Sequence, residues 1–329
     1  MNTRLAALLL TVGHAYSVTL GAQAAKGCDD AEGSLHETRV VAKLNPLVAE
    51  SHYKLWLPEG ASTIRVIFAI NMRAAGRRLF FEDREWRAMA ARNGAAMLYC
   101  EFEARSVRDN GYGQSMLSAC EQFASALDRP ELETAPFVLW GHSMGGRVTQ
   151  DFVRFMPSRV VTFHIALRGH PSSKPFMEEE EVAQSVPGLY LMGAKDGRPK
   201  DIREHFESAR KRQSPRAWVW LPGQSHWPKG MSFDQDATTP ADWRAWSANE
   251  VVIPWTEAMI RLRLPKETPP AGETIELLPI DMTRGWLGNP ETGHVAPYSA
   301  YSGTKPQASW FPSKEGAEAW TSYAFGGRR

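Results

Sequence analysis

The chain has 329 residues, of which 43% are hydrophobic and 23% charged, a balance that sets aside disorder, collagen-like repeats and coiled coil. Its length allows one large α/β domain or two smaller ones. Lys and Arg number 38 against 37 Asp and Glu, a net charge of +1, so neither nucleic acid nor an anionic membrane surface is expected as the main partner.

The first residues read as a processing signal. Met1–Arg4 is a short positive start and Leu5–Val12 an apolar run, and Ala22-Gln23-Ala24 places small residues where a signal peptidase reads. Cleavage is expected near Ala24, giving an exported protein, secreted or periplasmic, with no membrane span. A buried N-terminal helix is the competing reading. Cys28 raises a lipoprotein alternative, against which Lys26 stands. The expected division is 1–24 signal peptide, 25–267 main α/β domain and 268–329 Trp-containing C-terminal extension packed on it.

Strands and helices then alternate. Arg39–Leu44 and Tyr53–Leu57 alternate apolar and polar residues, as a half-buried antiparallel hairpin does. Ile64–Ile70 is dense enough for a central strand. A helix over Phe81–Asn93 stops at Gly94, and Ala95–Phe102 is a strand. Gln114–Leu127 is an amphipathic helix with Met116, Cys120, Phe123 and Leu127 on one face. Strand Phe137–Trp140, helix Gly145–Met156 and strand Arg159–Leu167 follow. Then come strand Leu189–Met192, helix Asp201–Lys211 and strand Ala217–Leu221, and a last helix starts near Pro254 and runs to about Leu264. Helical crossovers imply parallel pairing. The fold class is therefore α/β: an eight-stranded, mostly parallel sheet with helices on both faces and an antiparallel N-terminal edge hairpin. Chemistry in such sheets sits at the carboxyl ends of the strands.

Three strand ends carry the reactive residues. The fifth runs into Gly141-His142-Ser143-Met144-Gly145, a G-x-S-x-G pattern between a strand and a helix. Ser143 must stand on a sharp, strained turn, and side chains at Gly141 or Gly145 would collide with neighbouring backbone. The seventh strand ends in Gly193-Ala194-Lys195-Asp196, and the eighth in Gly223-Gln224-Ser225-His226. The chain order Ser, acid, His is the one a hydrolase sheet requires. A serine hydroxyl is a weak nucleophile alone. His226 would take its proton, and Asp196 would hold the imidazole tautomer and offset its charge. Asp201 is the rival acid, but it reads as the cap of the helix it opens. His52, His164 and His205 lie within a hairpin, a strand and a helix, and His170 in a loop.

On these residues, Arg39 to Leu264 resembles the α/β-hydrolase superfamily, and within it the secreted bacterial serine esterases of the polyhydroxyalkanoate depolymerase-like and feruloyl-esterase-like branch. The resemblance implies Ser143 as nucleophile, Asp196 as acid and His226 as base. It implies an oxyanion hole from the amide of Met144 and a second amide in Asn71-Met72-Arg73, supplied by Met72 or Asn71. That loop departs from the His-Gly pattern common in lipases. It implies no cofactor and no metal.

The surroundings limit the substrate. Gly169–Gly188 is too short for a large helical lid, so the cap is small or absent, and an open cleft suits bulky or polymer-linked esters; the expected partner is a small-molecule or polymer-linked ester. Asn71, Arg73, His142 and Trp227 are the substrate-facing candidates. Arg73, Arg77 and Arg78 read either as a carboxylate site or as an exposed basic face. Trp227 reads equally as an aromatic wall and as core packing. The run Glu178–Glu181 reads as a solvated helix start. Cys100 and Cys120 either pair or lie in the core as thiols. After Thr268 the composition changes, with short strands expected at Ile275–Leu278 and around Trp310 in an extension packed on the main body. The function expected is ester hydrolysis through an acyl-enzyme. An amidase, peptidase or acyltransferase would use the same triad, and a non-catalytic binding protein would use the same scaffold.

Overall fold

The computed structural model describes residues 32–41, 51–72, 79–102, 112–167, 181–197, 199–231 and 239–326. Residues 1–31 with Cys28, the Arg73–Arg78 loop, His170 and Glu178–Glu180 lie outside these residues.

Eight strands form one sheet in the order β1-β2-β4-β3-β5-β6-β7-β8. They are β1 Gly33–Val40, β2 Ser51–Pro58, β3 Val66–Asn71, β4 Ala95–Phe102, β5 Phe137–His142, β6 Val160–Ala166, β7 Gly188–Gly193 and β8 Arg216–Leu221. From β4 to β8 every neighbouring pair is parallel. β2 pairs antiparallel with both β1 and β4. The edge hairpin is therefore present, but β1 begins six residues earlier than the Arg39–Leu44 reading. The alternation there is real over Arg39 and Val40, yet the partners of β2 start at Gly33.

Alternation along the strands feeds two cores. Val66, Phe68 and Ile70 face one side of the sheet, with Val138 and Trp140 beside them. Ile67 and Ala69 face the other, with Phe137 and Leu139. This is the period-2 geometry of a strand buried on both faces. Helices α1 (Arg84–Arg92) and α8 (Asn249–Arg263) cover the first side, and α2 (Tyr112–Leu127), α4 (Met144–Phe155) and α6 (Pro199–Lys211) the second. Short helices α3 (Glu131–Thr134), α5 (Glu181–Ser185) and α7 (Trp243–Ser247) complete the set. Cys120 is a free thiol in the second core, and burial pushes its pKa up to about 12. Such a thiol packs as a small hydrophobe.

Two helix boundaries differ from the sequence reading. The helix expected over Phe81–Asn93 breaks at Asp83, whose carboxylate accepts from the amides of Glu85 and Trp86 and so caps α1. The last long helix starts at Asn249, behind Ala248 in a left-handed conformation, and Pro254 lies inside it. The buried side chains of Val251, Val252 and Trp255 hold that first turn in place although the proline removes a donor.

The C-terminal segment builds a second, three-stranded antiparallel sheet from β9 (Trp286–Gly288), β10 (Val295–Pro297) and β11 (Ser309–Phe311), in the order β10-β9-β11, followed by helix α9 (Lys314–Phe325). No strand forms at Ile275–Leu278. The Leu278 amide instead donates to the Arg263 carbonyl at the end of α8. The segment seals the outer edge of β8. Ser309 Oγ accepts from the Trp218 amide at 2.8 Å, and Trp320 Nε1 donates to the Trp218 carbonyl at 2.9 Å. Trp320 is fully buried against Phe311 and Phe325. Trp320→Ala is expected to cost about 3–5 kcal/mol, the range for truncating a buried aromatic. Urea unfolding would measure it, and a loss below about 1 kcal/mol, within the scatter of ordinary substitutions, would mean the extension does not share the main core.

Candidate active site

Ser143 sits between β5 and α4 at φ 54° and ψ −115°, a conformation L-residues rarely adopt. Its amide donates to the Ala166 carbonyl at the end of β6, and its carbonyl accepts from Gly146. The glycines explain how the turn closes. A Cβ on Gly141 would overlap the Gly145 carbonyl and Thr149 Oγ1, and one on Gly145 would overlap the Asn71 carbonyl oxygen on β3. The helix start is thus pressed against the end of the neighbouring strand, and Ser143, partly exposed, sits at the carboxyl end of β5. The fold is that of the α/β hydrolases. The strand order and this elbow together define it.

Asp196 and His226 come from the next strand ends. After β7 the Lys195 amide donates to the Gln224 carbonyl, and Asp196 closes a turn onto the Gly193 carbonyl. Gly193 lets the two loops approach, since a Cβ there would lie 2.6 Å from the Gln224 oxygen. His226 Nδ1 donates to Asp196 Oδ2 at 2.9 Å. The carboxylate is 8% exposed and the imidazole 30%, so the acid is shielded while the ring reaches solvent. Asp201 lies within the first turn of α6, two residues after Pro199, so it does not open that helix as the sequence reading expected.

His142 links the nucleophile segment to the histidine loop. Its Nε2 donates to the His226 main-chain carbonyl at 2.8 Å, and the two rings lie 4.8 Å apart. Trp227 packs edge-on against His142 at 4.3 Å and Trp246 at 5.1 Å. Asn71, at the end of β3, accepts from the Tyr112 hydroxyl and donates to Thr149 Oγ1. Asn71 and His142 are each 2% exposed. Both were expected to face substrate; their burial and internal partners place them behind the site instead. Trp227 is half-buried and packs on the main core as well as on His142. Met72 is buried, whereas Met144 is half exposed beside Ser143. Arg73 lies outside the described residues. No sequence signal pointed to Tyr112, Thr149 or Trp246, because each reaches the site only through tertiary packing.

Three histidines lie in the interior, and burial lowers the pKa of each: His142 and His164 to about 3, and His205 well below its usual value. In the unfolded chain they titrate near the ordinary value of about 6.5. Between about pH 6.5 and 3 the unfolded state therefore binds more protons, and stability falls as pH falls. Each histidine contributes up to about 1.4 kcal/mol per pH unit in that window. Urea unfolding at pH 7.0, 5.5 and 4.5 should show a steady decline before most carboxylates titrate. A flat profile would mean that these rings become protonated inside the fold.

No family model and no curated protein matches the chain. Among solved structures it is similar to the S-formylglutathione hydrolase of Staphylococcus aureus, at 11% identity and a TM-score of 0.46 over 69% of this chain and 99% of that one. It is also similar to the feruloyl esterase module of Clostridium thermocellum, at 12% identity and a TM-score of 0.46 over 65% and 91% of the two chains. For the S-formylglutathione hydrolase of Agrobacterium tumefaciens the values are 14%, 0.42, 59% and 89%.

Proposed function

We propose that the protein is an exported serine hydrolase that cleaves carboxylic esters through a Ser143-His226-Asp196 triad. One observation supports the reading: a strained Ser143 follows the carboxyl end of β5, and the hydrogen-bonded His226–Asp196 pair follows the carboxyl ends of β7 and β8, which run parallel to it. Ser143 Oγ attacks the ester carbonyl while His226 Nε2 takes its proton. Asp196 holds the Nδ1–H tautomer and offsets the imidazolium charge. The oxyanion of the tetrahedral intermediate is met by the Met144 amide, the first of α4 and free of any intrahelical acceptor. The amide of Met72 or Asn71 is the second donor. His226 returns its proton to the leaving alkoxide, and the acyl group stays on Ser143. A water molecule then attacks the acyl-enzyme with His226 as base, and Ser143 is released.

No metal or organic cofactor is required by these steps. The exposed Met144 gives the nucleophile an apolar flank, which favours an acyl chain over a charged group. The substrate class is a small or polymer-linked ester. Export is supported by the Met1–Ala24 leader, and among the described residues no helix is long and apolar enough to cross a membrane.

The test is a panel of aryl acetates and butyrates, feruloylated sugars, polyester oligomers and matching anilides, run beside a fluorophosphonate probe. Ester turnover with stoichiometric labelling at Ser143 is expected. Anilide turnover equal to ester turnover would make the protein an amidase. A protein that neither turns over nor labels would be a binding protein on a hydrolase scaffold.

A further inference from the structure

His142 ends β5 one residue before Ser143, yet its ring is shut away from any substrate. A carbonyl oxygen only accepts, so the contact with the His226 carbonyl fixes the proton on Nε2 and leaves Nδ1 as a bare lone pair. Nδ1 is buried and has no hydrogen-bond partner among the described residues. Burying a polar nitrogen unpaired is costly, and a plain aromatic ring would fill the space without that cost. The imidazole is therefore justified by its one hydrogen bond rather than by its bulk.

That bond is placed where the site is weakest. The loop carrying His226 lies between two residues that need left-handed backbone, Gly223 at φ 71° and Gly230 at φ 76°. Asp196 hydrogen-bonds the ring of His226 at Nδ1, which orients the imidazole but does not hold the main chain that carries it. His142 grips the same residue through its main chain. Because His142 is peptide-bonded to Ser143, the second anchor moves with the nucleophile's own backbone. Trp227 and Trp246 hold the gripping ring edge-on from two sides.

We infer that His142 is a positioning residue that fixes the main chain of His226 relative to Ser143, and so sets the approach of imidazole to hydroxyl. The inference rests on the serine-hydrolase reading. Small misplacements of a catalytic group are expensive, of the order of 100-fold for about 1 Å. The bond therefore acts on the chemical step rather than on substrate affinity.

Three variants separate positioning from packing: His142→Gln, His142→Met and His142→Phe. Glutamine reaches about as far as histidine Nε2 and keeps a donor, methionine has the same length without one, and phenylalanine keeps the ring without one. The readouts are kcat and KM on an aryl butyrate, the rate of fluorophosphonate labelling, and the melting temperature. The methionine and phenylalanine variants should lose about 10–100-fold in kcat and in labelling rate, with KM little changed. The glutamine variant should recover most of kcat while melting below the phenylalanine variant. These opposite orders do not arise from a packing role. Wild-type kcat in the methionine or phenylalanine variant, kcat that follows melting temperature across all three, or failure of all three to fold would overturn the inference. If the wild-type protein itself neither hydrolyses the ester nor labels, the hydrolase reading falls first and takes this one with it.

Discussion

Replacing Ser143 by alanine should remove ester hydrolysis while leaving the protein as stable as before. In the proposed mechanism the hydroxyl is the nucleophile, and no other group takes that part. Loss of a triad serine costs about 10⁶-fold in kcat, and what remains over the uncatalysed rate, about 10³–10⁴-fold, comes from binding and oxyanion stabilisation. Stability is a separate matter. Ser143 precedes α4 without using its side chain as a cap, so removing Oγ deletes no structural hydrogen bond there. Alanine keeps the Cβ that makes φ 54° unfavourable, and the strain is unchanged. Ser143→Gly should differ in this respect: it relieves the strain and stabilises by about 1 kcal/mol while being equally inactive. A serine whose loss leaves activity intact and whose replacement by glycine stabilises nothing would be an ordinary turn residue.

Replacing Gly145 by alanine should damage the fold itself. The added methyl would sit on the Asn71 main-chain oxygen, and main chain does not swing aside as a side chain does. Nor is Asn71 free to move: it pairs in register with Gly141, and its side chain is tied to Tyr112 and Thr149. The cost should be about 3 kcal/mol or more, at the upper end for overpacking. Any folded fraction should also turn over slowly, because pushing Asn71 outward displaces the adjacent amides proposed to meet the oxyanion. Gly326→Ala serves as the control. No atom lies within 4 Å of a Cβ there, and it should be neutral in urea unfolding. Equal stabilities for the two variants would mean the elbow is looser than its geometry.

The parts of this molecule legible in the sequence share one physical cause. Strands buried on both faces need dense apolar runs, and Ile64–Ile70 and Phe137–Trp140 lie in β3 and β5 for that reason. Ser143, Asp196 and His226 each follow such a run, so their place at the carboxyl ends of parallel strands could be inferred from topology. What stayed hidden depends on packing between distant segments. Pro254 reads as a helix start because a proline is cheapest there, yet buried side chains on both sides of it carry the helix back to Asn249. β9 to β11 have three residues each and are too short to show periodicity. The grip of His142 on the His226 carbonyl joins positions 84 residues apart and has no local signature. Asn71 and His142 looked like pocket residues because polar side chains beside a nucleophile usually are. Here they belong to its foundations.

The covered flank of β8 bears on how copies of this protein can associate. A bare border strand invites a stranger's backbone to zip onto it. At Trp218 the outward amide and carbonyl are already occupied by Ser309 and Trp320, so the segment works as a stopper in that border. Lateral growth of the main sheet across β8 is therefore opposed at Trp218 by the protein's own C-terminal segment.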